Sequence, residues 1–162
     1  MACIEIRPAT AADTHTVLEM IKGLAEYERL LDEVQATEDR VRQTLFGPDP
    51  SAEVILACDN GNCAGVAVFF RTYSTFLAQP GLYLEDLYVK PEYRGRGIGL
   101  ALLRHIASVA VERGYGRIEW GVLDWNEPAI NFYESLGARP MTGWSKYRLS
   151  GEALASLSSA EG

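Results

Sequence analysis

Residues Leu82 to Leu103, "LYLEDLYVKPEYRGRGIGLALL", decide how this chain is read. Leu82–Val89 has the alternating apolar content of a strand, yet it carries Glu85 and Asp86 side by side. Gly95-Arg96-Gly97-Ile98-Gly99 then places glycine at every second position where a helical pattern begins. From Ile98 to Arg113 the residues Leu102, Leu103, Ile106, Val109 and Ala110 recur on one helix face, and Gly114 stops the run. Strand, glycine turn and helix in that order imply an anion cradle. Glycine lacks a β-carbon, so backbone N–H groups can approach a bulky anion, and the helix N-terminus adds its positive end. Arg94 and Arg96 supply charge-assisted donors suited to phosphate. The spacing is not that of a dinucleotide fold, because Gly99 follows Gly97 by two residues and not three, and the Gly-Lys-Ser/Thr of a P-loop is absent.

Working outward, Ile4–Arg7 reads as a first strand. Thr10-Ala11-Ala12-Asp13 opens a helix that carries Val17, Leu18, Ile21, Leu24 and Ala25 to about Arg29. Thr37-Glu38-Asp39 starts a shorter helix that Gly47-Pro48 ends. Strands are expected over Ala52–Cys58 and Cys63–Tyr73, joined at Asn60-Gly61, and another at Ile118–Val122. Asn126-Glu127-Pro128 begins a helix through Leu136, and Gly143–Leu149 is expected to form a last strand. No repeat or linker divides residues 1–162, so a single α/β domain is expected, with residues 149–162 as a tail that adds a turn of helix or frays.

Composition is that of a globular chain, 48% hydrophobic and 23% charged. The net charge of −7 disfavours nucleic-acid binding, and no apolar run approaches the ~20 residues of a membrane span. The first residues lack a secretory signal, so a cytoplasmic location is expected. Cys3, Cys58 and Cys63 show no metal-binding spacing, and no metal is expected. Cys58 and Cys63 flank the Asn-Gly turn and are read as reduced, partly buried thiols that could face each other.

"VKPEYRGRGIGLALL" resembles motif A of the GCN5-related N-acetyltransferases, Arg-x-x-Gly-x-Gly, matched by Arg94, Gly97 and Gly99. "LDWNEPAINFYESLGA" resembles the later motif of that superfamily. "IRPATAAD", "LAEYE", "YLED" and "WNEPAINFY" look like its diamine/thialysine subgroup, so the resemblance covers most of the chain. It implies a mixed, mostly antiparallel twisted sheet of six to seven strands with helices on both faces. It further implies acetyl transfer from acetyl-CoA to the primary amine of a small cationic molecule, and a homodimer. The cofactor positions it implies are Leu87, Tyr88 and Val89 on the strand, Arg94, Gly95, Arg96, Gly97, Ile98, Gly99 and Leu100 at the cradle, and Asn126, Glu127, Pro128, Ala129 and Tyr133.

Acetyl transfer makes two proton demands. A lysine-like amine of pKa ~10.4 is neutral in only about one molecule per thousand near pH 7.4. Glu85 is the candidate to orient it or to relieve it of a proton through water. Simple strand alternation would put Glu85 and Asp86 on opposite faces. The thiolate leaving group needs a proton, and Tyr133, seven residues after Asn126 and hence on one helix face with it, is the candidate acid. A cysteine acyl-enzyme is the weaker idea, because Cys58 and Cys63 have no neighbouring histidine in sequence. Acceptor positions implied by the resemblance are Tyr27, Glu28, Glu85, Glu119, Trp120 and Gly121. Ser74 and Thr75 stand where polyamine-acetylating members carry an acid, and the acid-rich segment before a late Trp is shortened to Pro140–Gly143 ahead of Trp144. Both changes favour a zwitterionic aminoethyl amino acid, its carboxylate bonded by Ser74 or Thr75. Spermidine or a short diamine is the rival, and a protein lysine or N-terminal amine is a further alternative.

Overall fold

The computed structural model describes residues 3–159. They fall into two compact units, one ending at Leu123 and the other beginning at Asp124. The first contains strands β1 (Ile4–Pro8), β2 (Glu53–Asp59), β3 (Asn62–Ser74), β4 (Gln79–Val89) and β5 (Ile118–Trp120). Its helices are α1 (Thr14–Tyr27), α2 (Glu38–Leu45) and α3 (Ile98–Glu112). The second contains α4 (Glu127–Ser135) and α5 (Gly151–Ser159). None of the helices among the described residues is long and apolar enough to cross a membrane.

The five strands form one sheet in the order β1-β2-β3-β4-β5. Every neighbouring pair is antiparallel except β4–β5, which is parallel. Asn60 and Gly61, both at positive φ, make the two-residue link between β2 and β3 that the sequence anticipates. Alternation then sorts the side chains onto two faces. Val54, Leu56, Cys58, Val66, Val68 and Tyr88 pack with Val17, Leu18 and Met20 of α1 and Val41 of α2. The opposite parity, including Ile55, Ala57, Ala67 and Phe69, is also buried. There α3 lies close: a β-carbon on Gly65 would meet Ile98 Cγ2 at 3.2 Å and Leu102 Cδ1 at 3.3 Å. Helices therefore cover both faces of the sheet.

The sheet has five strands among the described residues, not six to seven. The expected strand at Gly143–Leu149 is absent: Thr142-Gly143 is a turn, and residues 144–150 join no ladder. Alternating side chains are necessary for a strand, but a strand exists only where a neighbour accepts its backbone hydrogen bonds. The tail forms nine helical residues, Gly151–Ser159, more than the single turn expected.

The entry to α1 is pinned by charge. Arg7 Nη1 donates to Asp13 Oδ2 at 2.8 Å and Nη2 to Oδ1 at 2.9 Å, while Thr10 N donates to Asp13 Oδ2 at 2.8 Å. The Arg7 bonds hold the Asp13 carboxyl down at about 2. A carboxylate depressed in the folded state contributes stability above its unfolded pKa and loses it as pH falls through the folded value. Asp13→Asn is therefore expected to cost about 1 kcal/mol at pH 7, the pair being partly solvent-screened. Urea denaturation from pH 7 to pH 3 should show that difference shrinking below about pH 4.

Candidate active site

The carboxylates sit at a fault in β4. Phe69 pairs with Leu84 and Val68 with Asp86, so Glu85 is an extra residue opposite no partner, a β-bulge. Leu84 shares the face of Phe69, so Glu85 turns to the other face. Asp86, paired with Val68, turns to that same face. The expectation that the two carboxylates lie on opposite faces is thus overturned: the bulge inserts one residue and re-phases the strand. Both point toward the α1 side.

The acids feel one another. Asp86 is largely buried, and burial, with the charges of Glu85 and Glu28 added, raises its carboxyl from 3.8 to about 6. Glu28, which caps the C-terminus of α1, is also raised by burial. Glu28 and Glu85, expected at the acceptor site, are thus within electrostatic reach of Asp86, while Tyr27, next to Glu28 in sequence, lies under the Arg94 guanidinium. On the neighbouring strand Glu119 pairs with Tyr83 and Trp120 with Leu84, one residue before the bulge. Gly121 lies where a β-carbon would come within 3.6 Å of Tyr83 Oη, and Glu119 is ion-paired to Arg117 Nε at 3.1 Å.

Two features make room for an extended ligand. Pairing between β4 and β5 covers only Leu82–Leu84 with Ile118–Trp120, so Glu85–Val89 runs on without a β5 partner. This edge holds Leu87, Tyr88 and Val89. The Tyr88 ring itself is core, its hydroxyl so close to α1 that a β-carbon on Gly23 would strike it.

Beyond the edge lies the cradle. Gly95 and Gly97 take φ of 76° and 78°, with open space where a β-carbon would be, so backbone conformation and not crowding requires glycine there. Gly97 is the N-cap of α3 and offers no side-chain cap. The N–H groups of Ile98, Gly99 and Leu100 have no partner one turn back, which is the donor set an anion takes at a helix N-terminus. The two arginines are engaged within the chain. Arg94 Nε donates to Val89 O at 3.0 Å, and its guanidinium lies 5.1 Å from the Tyr27 ring and 5.8 Å from that of Tyr88. Arg96 donates to Asp59 Oδ2 at 3.2 Å and to Glu92 O at 3.1 Å.

Ser74 and Thr75 are not brought to the acids. Ser74 pairs with Gln79, six residues from Glu85 along β4 and roughly 20 Å away at strand rise. Its Oγ accepts from Leu77 N at 3.2 Å, which shapes the β3–β4 turn. A surface hollow lined by Glu53, Phe70, Arg71, Arg113 and Tyr115 also contains none of the expected site residues. Within it Arg113 pairs with Glu53 at 2.7 and 2.8 Å.

In the second unit Asn126 is buried and caps α4, its side chain accepting from Ala129 N at 3.4 Å, with Glu127 and Pro128 in the first turn. Tyr133 is half-buried on the helix face of Asn126, its ring 5.6 Å from that of Phe132.

Sequence reasoning missed the placement of Asp86, and a signal for it exists. Leu82 and Leu84 are apolar at even positions, Leu87 and Val89 at odd ones. That change of phase across Glu85-Asp86 is the mark of a bulge.

An unpaired stretch of β4 that leads to a glycine-rich helix start without a side-chain cap is a site for an extended, anion-bearing ligand. Comparison with known proteins makes the assignment specific. The model of the acetyltransferase (GNAT) family matches residues 17–138. Thialysine N-epsilon-acetyltransferase from Sus scrofa is 41% identical over 97% of this chain and 98% of its own length. An L-ornithine N5-acetyltransferase from Arabidopsis thaliana is 33% identical over 94% of this chain and 86% of its own. Among solved structures, an integron cassette protein from the mobile metagenome of V. cholerae superposes with a TM-score of 0.81 at 25% identity, covering 97% of this chain and 98% of its own. The chain belongs to the GNAT acetyltransferase family and is an acetyl-transferring enzyme.

Proposed function

We propose that this enzyme moves the acetyl group of acetyl-CoA to the side-chain amine of a small diamino acid of the thialysine, lysine or ornithine kind, in a single direct transfer. The observation that carries this reading is the bulge, which turns Glu85 and Asp86 to one face with Glu28 beside the open edge of β4. Carboxylates clustered there attract an ammonium group and repel anionic acceptors. The cradle fits acetyl-CoA in chemistry: the N–H groups of Ile98, Gly99 and Leu100 take the pyrophosphate, and the Leu87–Val89 edge pairs with the amide-bearing arm as an added strand would.

An ammonium is no nucleophile, and anions alone would hold its proton on. Asp86, at about 6, accepts a proton nearer neutral pH than an ordinary carboxylate does. The ammonium proton leaves through water toward Asp86, with Glu85 and Glu28 keeping the amine in place. The amine nitrogen then attacks the acetyl carbonyl carbon, the N–C bond forms, the C–S bond breaks, and the second proton of the nitrogen leaves to solvent. Tyr133 gives its phenolic proton to the departing sulfur and is re-protonated from solvent. That role rests on the match of the α4 segment to the family's later motif.

The names of the relatives support the choice of acceptor. Thialysine and ornithine, named for two of them, are both amino acids with a primary amine at the end of the side chain. A relative named as a spermidine/spermine N(1)-acetyltransferase-like protein, 32% identical, keeps polyamines as the second reading. Ser74 and Thr75 play no part in the proposed site. A cytoplasmic homodimer remains part of the proposal by resemblance.

The test is CoA-thiol release from acetyl-CoA across thialysine, lysine, ornithine, putrescine, spermidine and a short lysine peptide. Thialysine or ornithine is expected to exceed spermidine in kcat/KM by about tenfold or more, in line with the substrates named for the relatives and within the range that pocket discrimination supplies. Preference for spermidine would overturn the diamino-acid assignment, and turnover of the peptide alone would overturn the small-molecule reading.

A further inference from the structure

Two thiols adjoin, in sequence, the residues that hold the segment leading into the cradle. Cys58 of β2 and Cys63 of β3 are directly opposed in the antiparallel ladder, with their sulfurs 3.3 Å apart. Opposed residues in such a ladder have Cα atoms about 4.5–5.5 Å apart, inside the range of about 4.4–6.8 Å that a disulfide spans. No large backbone movement stands between this pair and a bond. The hairpin is also irregular here: Ala57 pairs with Gly65 and Cys58 with Cys63, so Ala64 is an extra, bulged residue.

Each cysteine is followed by a residue that grips the segment leading into the cradle. Ala64 O accepts from Lys90 N at 2.9 Å. Asp59, 5% exposed, accepts from Asn60 Nδ2 at 3.0 Å and from Arg96 Nη1 at 3.2 Å. The dithiol thus lies one residue before both attachments of Lys90–Arg96. The two sulfurs differ in access. Cys58 is buried, which raises its thiol pKa, whereas Cys63 is partly exposed with the Arg7 guanidinium 4.0 Å from its sulfur.

We propose that Cys58 and Cys63 form a modification site, a dithiol that a peroxide closes to an intrachain disulfide, and that closing it loosens the cradle. The coupling to the cradle rests on the reading of Gly95–Leu100 as the acetyl-CoA site. Cys63, the accessible partner, attacks the peroxide as thiolate, and the O–O bond breaks to leave a sulfenic acid and water. The Cys58 sulfur then attacks the Cys63 sulfur, the S–S bond forms, the S–O bond breaks, and a second water leaves. Two thiols and one hydrogen peroxide become one disulfide and two waters. Drawing the sulfurs from contact to bonding distance shifts Asp59 and Ala64 against their partners, and the Asp59–Arg96 bond is fitted to the open hairpin.

The test uses the full chain, reduced and then exposed to hydrogen peroxide. Denatured thiol counting should fall from three to one, leaving Cys3, and the intact mass should be lighter by two hydrogens. Non-reduced peptide mapping should join Cys58 to Cys63. Calorimetric titration with CoA should show affinity weakened about fivefold or more, typical of coupled sites, and restored by dithiothreitol. Cys63→Ser should bind CoA as the reduced protein does and ignore peroxide; Cys58→Ala provides a second variant with the same expectation. Retention of all three thiols, oxidation of Cys63 to sulfinic acid, or a bridge to Cys3 would overturn the site. A Cys58–Cys63 disulfide with unchanged CoA affinity would overturn the coupling. Failure of the reduced protein to bind CoA would overturn the cradle reading and the coupling with it, while the mass result still decides the disulfide.

Discussion

Tyr133→Phe is expected to lower kcat by about 10²–10³-fold at saturating acetyl-CoA and amine, within the range that loss of a general acid costs. The substitution removes one oxygen. The ring contact with Phe132 survives it, and so do the Asn126 cap and Pro128 that start α4. A melting curve of the variant, taken beside its rate, separates lost chemistry from lost packing. CoA affinity should change less than about twofold, because the proton is needed only as the sulfur gains charge and not in the bound ground state. A thioester whose thiol is more acidic than CoA should lose much less rate, since a better leaving group needs less help. A fall in kcat smaller than threefold would assign Tyr133 to packing and send the search for the acid elsewhere.

What the sequence makes legible here is local. The α3 stripe, the Asn60-Gly61 turn and the Gly95–Gly99 run each depend on residues within a few positions of one another, and each appears as expected. Asn126 is the α4 cap that its position before Glu127-Pro128 implies. The failures are non-local. Gly143–Leu149 has strand-like alternation, but alternation does not reveal whether another strand stands beside it. A period of two puts Glu85 and Asp86 on opposite faces, and it holds only until one residue is inserted in the ladder. Asp59 meets Arg96 across 37 positions of chain, and no spacing within either segment announces it. Ser74 followed the family's pattern by position, yet its hydroxyl is used by the Leu77 amide in the turn. The fold and the glycine-rich start of α3 come from patterns that a chain writes in sequence order. The proposed acceptor acids come from two elements, the end of α1 and the bulge of β4, and only the register of β3 and β4 turns them to one face.

Asp86→Asn should move stability and activity in opposite directions. In the folded protein this carboxyl titrates at about 6, against an ordinary value of 3.8, chiefly because it is buried and then because Glu85 and Glu28 repel its charge. A raised acid favours the folded state fully at pH values below the unfolded pKa, and that contribution is lost as pH rises through the folded value. At pH 8 the ionised side chain therefore weakens folding, and the gap between the two values corresponds to roughly 3 kcal/mol as an upper figure. Asparagine has nearly the same shape and no charge to bury. Denaturant melts should find the variant about 1–3 kcal/mol more stable at pH 8, with the advantage shrinking toward pH 4, where Asp86 is protonated in the fold. Amine acetylation should fall about tenfold or more in kcat/KM, and the decline of wild-type activity below about pH 6 should vanish from the variant profile. Such a pairing is what a charge kept for function against the interests of the fold produces. A variant that is more stable and equally active would make Asp86 a strained bystander and leave Glu85 to handle the amine alone. A variant less stable at pH 8 would mean that burial is not what raises the carboxyl, and the proton-acceptor role would fall with it.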